Sequence, residues 1–234
     1  MTKNARFITL VVFVLFLGLT WGTASSHYSF FPYKQLRSIK RAFSPELAFN
    51  PYHYDRISIF NTFQSSANIV MLGDSLTDFG EWNAMFPGKS IVNRGISGDR
   101  TDGILKRLNE VLSIGASDVF IMIGFNDLNA GVDPSKVITN YKNILLELTN
   151  ENIHVYIQSI LCVNAADNPV NKLISQVNQQ LNLIAQNNHN VTYIDLNAKL
   201  STSGKLNDQF TTDGIHLNGK GYEVWRDTLH LFID

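Results

Sequence analysis

From Pro51 onward, short apolar runs alternate with longer segments in which apolar residues recur every three or four positions. The first pattern is typical of strands buried on both faces, and the second of amphipathic helices. The sequence predicts strands at 69–72, 90–93, 119–123, 155–160 and 191–196. It predicts helices at 52–63, 101–112, 133–148, 170–184 and 222–232. Such an alternation requires right-handed crossovers, so we expect an α/β fold with a five-stranded parallel sheet and helices on both faces.

Composition limits the class of protein. With 234 residues, 44% of them apolar, the chain is long enough for one well-filled domain. The balance of 19 Lys and Arg against 20 Asp and Glu argues against a nucleic-acid partner, because phosphate contacts need surplus positive charge. Cys162 is the single cysteine, which excludes a disulfide within the chain and a zinc site built from several cysteines.

The N terminus has the pattern of a targeting segment. Lys3 and Arg6 precede an apolar run at 7–21, and small residues follow it. A positive start, an apolar stretch and a small-residue end are typical of a secretory signal. We therefore predict that residues 1–25 are a signal peptide or an N-terminal membrane anchor, with membrane association through residues 7–24. The expected location is exported (periplasmic or secreted), or anchored at a membrane if the segment is not cleaved.

The next segment, residues 26–50, mixes aromatic and basic side chains, and we interpret it as a linker or membrane-proximal segment. Four basic residues in it lie within reach of the positive-inside rule: Lys34, Arg37, Lys40 and Arg41. If the apolar run stays in the membrane, these charges favour keeping the following domain on the cytoplasmic side. Residues 51–234 are predicted to form that domain.

Polar motifs follow the predicted strands where the strands end. Gly73–Asp78 follows the first strand, Asn93–Asp99 the second and Gly124–Asp127 the third, and Asp213–His216 lies in the loop after the fifth. Ligand sites of parallel sheets gather beyond the carboxyl ends of the strands. Each motif alone is weak evidence, but their order along the chain predicts one shared site at this edge of the sheet.

These residue types fit nucleophilic attack on an ester carbonyl. The hydroxyl of Ser75 needs an imidazole to accept its proton, and His216 needs a carboxylate, Asp213, to fix its tautomer. The oxyanion that forms needs preorganised donors. The candidates are the N–H groups of Ser75 and Gly95 and the side-chain amide of Asn126.

On these motifs the chain resembles the SGNH hydrolase superfamily, the GDSL esterases and lipases. The blocks of that family fall on Gly73-Asp74-Ser75-Leu76, Gly95, Gly124-x-Asn126-Asp127 and Asp213-x-x-His216. The resemblance implies that residues 51–234 form a flavodoxin-like three-layer α/β/α sandwich. It implies a serine carboxylic-ester hydrolase that needs no metal and no cofactor. The expected partner is a small-molecule, lipid or carbohydrate ester, and the sequence makes no prediction about the oligomeric state.

Three further residues adjoin the predicted site. We interpret Asp74 and Asp127 as supports of the loops that carry Ser75 and Asn126, and Arg100 as either a substrate contact or a solvated helix start. Other functions stay open at this point. The same site would serve an O-acetylesterase or acyltransferase acting on cell-envelope carbohydrate, the fold could be a catalytically silent binding domain, and four polar residues would suit a metal-dependent phosphodiesterase: Asp74, Asp127, Asp213 and His216.

Overall fold

The computed structural model describes residues 16–24, 49–165 and 168–233. The chain divides into two compact units, Met1–Ala48 and Phe49–Asp234. In the first unit the described residues, 16–24, are helical. Most of the predicted signal or anchor (1–25) and of the predicted linker (26–50) lies outside the described residues. Among the helices of the described ranges, none has the length and apolar character needed to cross a bilayer.

The second unit contains the predicted five-stranded parallel sheet. Its strands are β1 (Ile69–Gly73), β2 (Ile91–Gly95), β3 (Asp118–Met122), β4 (His154–Gln158) and β5 (Val191–Ile194). They lie in the order β2-β1-β3-β4-β5, and each pairs in parallel with its neighbours. The expectation of an α/β sandwich with a parallel sheet is therefore confirmed.

Long helices connect and cover these strands, and short ones follow several strand ends. The long helices are α1 (Pro51–Thr62), α4 (Thr101–Leu112), α6 (Pro134–Asn150), α7 (Pro169–Gln186) and α9 (Gly219–Leu229). The short helices are α2 (Ser75–Asp78), α3 (Trp82–Met85), α5 (Phe125–Asn129) and α8 (Asn197–Leu200). A small hairpin of β6 (Ser201–Thr202) and β7 (Lys205–Leu206) and a 3₁₀ turn at Asp208–Phe210 precede α9.

Two separate hydrophobic clusters hold the layers together. Because successive strand residues point to opposite faces, Val70 and Leu72 of β1 enter one cluster and Met71 enters the other. The first cluster includes side chains of α4, α6 and α7, and the second includes Trp82 of α3 and Trp225 of α9. The sheet is thus covered on both faces, which explains why its strands read as continuous apolar runs.

Several boundaries differ from the prediction for physical reasons. Strand β2 continues through Arg94, where the apolar pattern stops, because that side chain pairs with buried Glu110. Strands β4 and β5 end earlier than predicted, because side-chain oxygens accept the backbone N–H groups just beyond their ends. Asn178 accepts the N–H of Ile160, and Ser159 Oγ accepts the N–H of Leu196.

Candidate active site

Ser75 lies at the first position of α2, directly after β1. Asp74 caps this short helix, accepting the N–H of Leu76 at 3.1 Å. The register pairs Gly73 with Gly95 of β2 and with Met122 of β3, so the loops after these three strands begin side by side. The predicted convergence of the strand-end motifs follows from this register.

Ser75, His216 and Asp213 form a continuous hydrogen-bonded chain. The distance from Ser75 Oγ to His216 Nε2 is 3.0 Å, and that from His216 Nδ1 to Asp213 Oδ2 is 2.6 Å. The other oxygen of Asp213 accepts the N–H groups of Ile215 and His216 at 2.9 and 2.8 Å. A carboxylate on Nδ1 favours the tautomer whose Nε2 is free to accept a proton from Ser75.

Both exposure and hydrogen bonding keep Asp213 ionised, since its side chain is 51% exposed. The hydrogen bond from His216 lowers the pKa of this carboxyl well below its usual range, and the two backbone N–H groups lower it further. The His216 side chain is one-third exposed at 33%. The site is therefore open to solvent on the side of its imidazole and carboxylate.

Asn126 lies in α5, next to the loop that follows β2. Its Nδ2 donates to the backbone oxygen of Asp99 at 2.9 Å and lies 3.5 Å from Asp74 Oδ2. The structure thus brings the predicted amide donor beside the residue that precedes Ser75. An NH₂ group carries two hydrogens, so the bond to Asp99 uses one of them and the second has only the long contact to Asp74.

Gly95 does not fit its predicted part in the site, and the prediction is corrected. Its N–H already donates to Asn93 Oδ1 at 2.8 Å. A Cβ at this position would meet backbone atoms of Thr77 and Asp78. The absence of a side chain at Gly95 therefore lets β2 pack closely against the helix that carries Ser75, and its amide is not available to an oxyanion.

Gly98, for which the motifs predict no role, lies three residues further along the same loop. Its φ of +80° is in the region that favours glycine. The residues on either side contact the site: Ser97 donates to Asp78 of α2, and Asp99 accepts from Asn126. Within the described ranges the N–H of Gly98 makes no hydrogen bond. The signal in the sequence that could have indicated this position is the second glycine of Gly95-Ile96-Ser97-Gly98.

Asp74 and Asp127 lie beneath these loops, where supporting residues were predicted. Both are almost fully buried. Burial, together with the nearby carboxylates of Asp99 and Asp127, raises the pKa of Asp74 to about 7, against the opposing effect of the hydrogen bond from the Leu76 N–H. Burial also raises the pKa of Asp127 to about 6, against the opposing effect of hydrogen bonds from the Thr101 hydroxyl and N–H at 2.6 and 3.0 Å.

Arg100 fits neither of its two interpretations. The residue is buried, with an exposed fraction of 8%, so it is not a solvated helix start. Its Nε donates to Asp102 at 3.1 Å, and its guanidinium lies over the ring of Phe49 at 4.3 Å. These contacts hold the guanidinium inside the protein, so a direct role in binding substrate is not supported.

Phe79 is a residue of the site that the motifs did not indicate. It follows α2 directly, its ring centre lies 5.3 Å from that of His216, and it is 54% exposed. The motif at Gly73–Asp78 ends immediately before it. Over the described ranges, no three His, Cys, Asp or Glu side chains are grouped closely enough to hold a metal ion, so the four residues considered for a phosphodiesterase are not assembled into one cluster.

Comparison with known proteins identifies a family whose sequence model matches most of the domain. The sequence model of the GDSL-like Lipase/Acylhydrolase family matches residues 71–224. A curated relative, an N-acylneuraminate cytidylyltransferase from Streptococcus agalactiae, is 26% identical over 172 residues. The match covers 74% of this chain but only 40% of the relative, so the chain spans less than half the length of that protein.

Solved structures with the same fold include two bacterial proteins. One, from Streptococcus pneumonia and provisionally described as a platelet activating factor, is 26% identical with a TM-score of 0.70, covering 77% of this chain and 90% of that chain. A GDSL-like lipase from Bacteroides thetaiotaomicron is 20% identical with a TM-score of 0.66, covering 76% of this chain and 95% of that chain.

Proposed function

The chain belongs to the GDSL-like lipase/acylhydrolase family, and from this premise we propose that it is a serine carboxylic-ester hydrolase that works through an acyl-enzyme. The observation that carries the proposal is the contact of 3.0 Å between Ser75 Oγ and His216 Nε2, two residues from opposite ends of the domain. A serine hydroxyl becomes an effective nucleophile when such a base accepts its proton.

In the first half of the reaction Ser75 Oγ attacks the ester carbonyl and its proton passes to His216. The Oγ–carbon bond forms, the bond from the carbonyl carbon to the alcohol oxygen breaks, and His216 gives its proton to the leaving alcohol. Asp213 orients the imidazole and stabilises its charged form, because the carboxylate remains ionised. In the second half, His216 accepts a proton from water, whose oxygen forms a bond to the acyl carbon. The bond from that carbon to Ser75 Oγ then breaks, His216 returns the proton to Ser75, and the acid is released.

Three donors are proposed for the oxyanion. The first is the N–H of Ser75, since the first N–H groups of a helix lack partners within the helix. The second is the N–H of Gly98, in place of Gly95, whose N–H is engaged by Asn93. The third is the side-chain amide of Asn126. Removing one such donor costs a factor of about 10² to 10³ in kcat.

Ser75→Ala tests the proposal. We expect hydrolysis of p-nitrophenyl acetate to fall by more than about 10³-fold, and labelling by a fluorophosphonate probe to disappear, because only an activated serine reacts with it. Ser135→Ala is the matched control, since that exposed serine lies at the start of α6. It should leave both readouts unchanged. An active Ser75→Ala variant would contradict the proposed nucleophile, and an unlabelled wild type would favour the silent binding domain.

A second candidate substrate for the same site is an acetyl ester on a carbohydrate. It is supported by the openness of the site, where the side chains of Asp213 and His216 are 51% and 33% exposed, which suits a short acyl group on a bulky alcohol. The matched Streptococcus agalactiae relative is also named for a sugar acid. A series of p-nitrophenyl esters, compared with acetylated glycans and lysophospholipids, distinguishes the substrates. A rate that rises with acyl length would favour a lipid.

A further inference from the structure

The oxyanion donor Asn126 is oriented by the peptide carbonyl of Asp99. This hydrogen bond of 2.9 Å is its shortest polar contact, and the other, to Asp74, is 3.5 Å long. Asp99 follows Gly98 directly, so one peptide segment both presents the Gly98 amide and holds the Asn126 side chain. Whatever fixes Asp99 therefore fixes two of the three proposed donors.

The side chain of Asp99 is completely buried and is held from three sides. Its Oδ1 lies 3.0 Å from His53 Nε2 and accepts the N–H of Arg100 at 2.8 Å. Its Oδ2 accepts from Arg107 Nε at 3.0 Å. Arg100 belongs to the loop itself and Arg107 to α4, whereas His53 lies in α1, which precedes β1.

His53 itself is fixed in one orientation. The residue is buried, and its ring stacks on that of Phe49 with centres 3.9 Å apart and planes 10° from parallel. Its backbone N–H donates to the side chain of Asn50, which caps α1. Within the described ranges Nδ1 has no hydrogen-bond partner, so Asp99 is the only polar contact of the ring. Since a carboxylate only accepts, Nε2 carries the hydrogen of that bond.

We propose that His53 is a positioning residue of the active site, acting through Asp99 on Asn126. The inference rests on the proposed esterase function and extends the site to α1, which lies before the region matched by the family at residues 71–224. Without the His53 bond, the Asp99 peptide can shift and Asn126 loses its alignment with the oxyanion. A small misplacement of this kind lowers kcat because the donor is needed only in the transition state.

The test begins with His53→Phe, which keeps a ring to stack on Phe49 but removes the donor to Asp99. We expect kcat for p-nitrophenyl acetate to fall about tenfold with KM within about twofold. His53→Asn, whose shorter side chain cannot reach Asp99, should behave in the same way and serves if the first variant does not fold. His53→Gln places a donor close to the position of Nε2 and should restore most of kcat.

A double-mutant cycle separates positioning from general stability. In an Asn126→Ala background, His53→Phe should have a smaller effect than in the wild type, because one of the two donors that Asp99 fixes is absent and only the Gly98 amide remains. Phe60→Leu, a buried change in the same helix, controls for loosened packing: it should lower the melting temperature while leaving kcat unchanged. Equal losses from His53→Phe with and without Asn126, or an unchanged kcat, would overturn the positioning role. A wild type that neither reacts with the fluorophosphonate nor hydrolyses esters would instead overturn the proposed function on which it rests.

Discussion

Two carboxyl groups near Ser75 occupy opposite environments, and this difference assigns their roles. Asp213 is half exposed, and the hydrogen bonds that it accepts from the His216 ring and from the N–H groups of Ile215 and His216 lower its pKa. Asp74 is buried beside two other carboxylates, and its pKa rises to about 7. Groups whose environments separate their pKa values in this way can remain ionised and neutral at the same pH. Asp213 is thus suited to stabilise an imidazolium, whereas Asp74 is suited to cap α2.

The raised pKa of Asp74 predicts a pH dependence of stability. Unfolded aspartate releases its proton near pH 4 and the folded one near pH 7, so the unfolded state binds fewer protons in between. The free energy of unfolding should therefore fall as the pH rises from about 4 to about 7, by at most about 1.4 kcal/mol per pH unit from this group. Asp74→Asn keeps a cap but cannot ionise, and should remove this contribution.

Urea unfolding of both proteins at several pH values between 4 and 8 measures the effect. The difference in unfolding free energy between Asp74→Asn and the wild type should increase in favour of the variant up to about pH 7 and then stay constant. Asp133→Asn is a suitable control, because that carboxyl caps α6 at the surface. A difference that does not change with pH would show that burial does not shift Asp74 as described.

The β1–α2–β2 unit holds Ser75 through close packing of backbone on backbone. Strand β1 leads directly into the helix that begins with Ser75, and β2 packs against the other end of that helix at Gly95. The side chain of Asn93 adds bonds from its Nδ2 to the carbonyl oxygens of Thr77, Asp78 and Gly80. Helix α2 is too short to be stable by itself, so these contacts with β2 keep it in place.

Gly95→Ala should therefore damage both stability and catalysis. The added methyl would overlap the backbone of Thr77 and Asp78, which cannot move aside without shifting Ser75. We expect a loss of about 1–3 kcal/mol in unfolding free energy, as for other overpacked positions, and slower fluorophosphonate labelling. Gly88→Ala is a control glycine with positive φ, where a Cβ meets no atom within 4 Å. It should cost stability but leave the labelling rate of the folded protein unchanged.

A role of Gly95 as an oxyanion donor would survive this substitution, because alanine keeps the backbone N–H. Only the role in packing predicts a loss of stability and slower labelling. Normal stability and normal labelling of Gly95→Ala would therefore contradict the role in packing.

At the scale of the whole molecule, helix α9 packs against elements that come much earlier in the chain. Trp225 of α9 is fully buried, and its Nε1 donates to Gln158 Oε1 of β4 at 2.5 Å. Its ring meets that of Trp82 edge to face at 5.0 Å. In the same helix, the hydroxyl of Tyr222 donates to the carbonyl oxygen of Leu76 in α2 at 2.7 Å. Helix α9 therefore connects the C-terminal region, which carries His216, to β4 and to α2, the helix that begins with Ser75.

Trp225→Phe should destabilise the whole domain. It leaves the Gln158 side chain buried without its partner and opens a small cavity, at a cost of about 2–4 kcal/mol measured by urea unfolding. Trp225→Phe combined with Gln158→Leu should recover part of the loss, because replacing both partners by apolar groups removes the unsatisfied amide. A double variant as unstable as the sum of the single ones would show that the hydrogen bond is not responsible.

The sequence by itself determined the layers and the main residues of the site. Apolar runs and helical periodicity are local signals of burial, so the five strands, the five long helices and the meeting of Ser75, Asn126, Asp213 and His216 at one edge of the sheet could be predicted. The tertiary structure decided what each polar group bonds to. The N–H of Gly95 is taken by Asn93, Arg100 is held by Asp102 and Phe49, and His53 reaches Asp99 from a distant helix. These pairings depend on which backbone segments lie next to each other in the folded domain. The residue types along the chain do not specify the spatial distance between segments that are far apart in sequence.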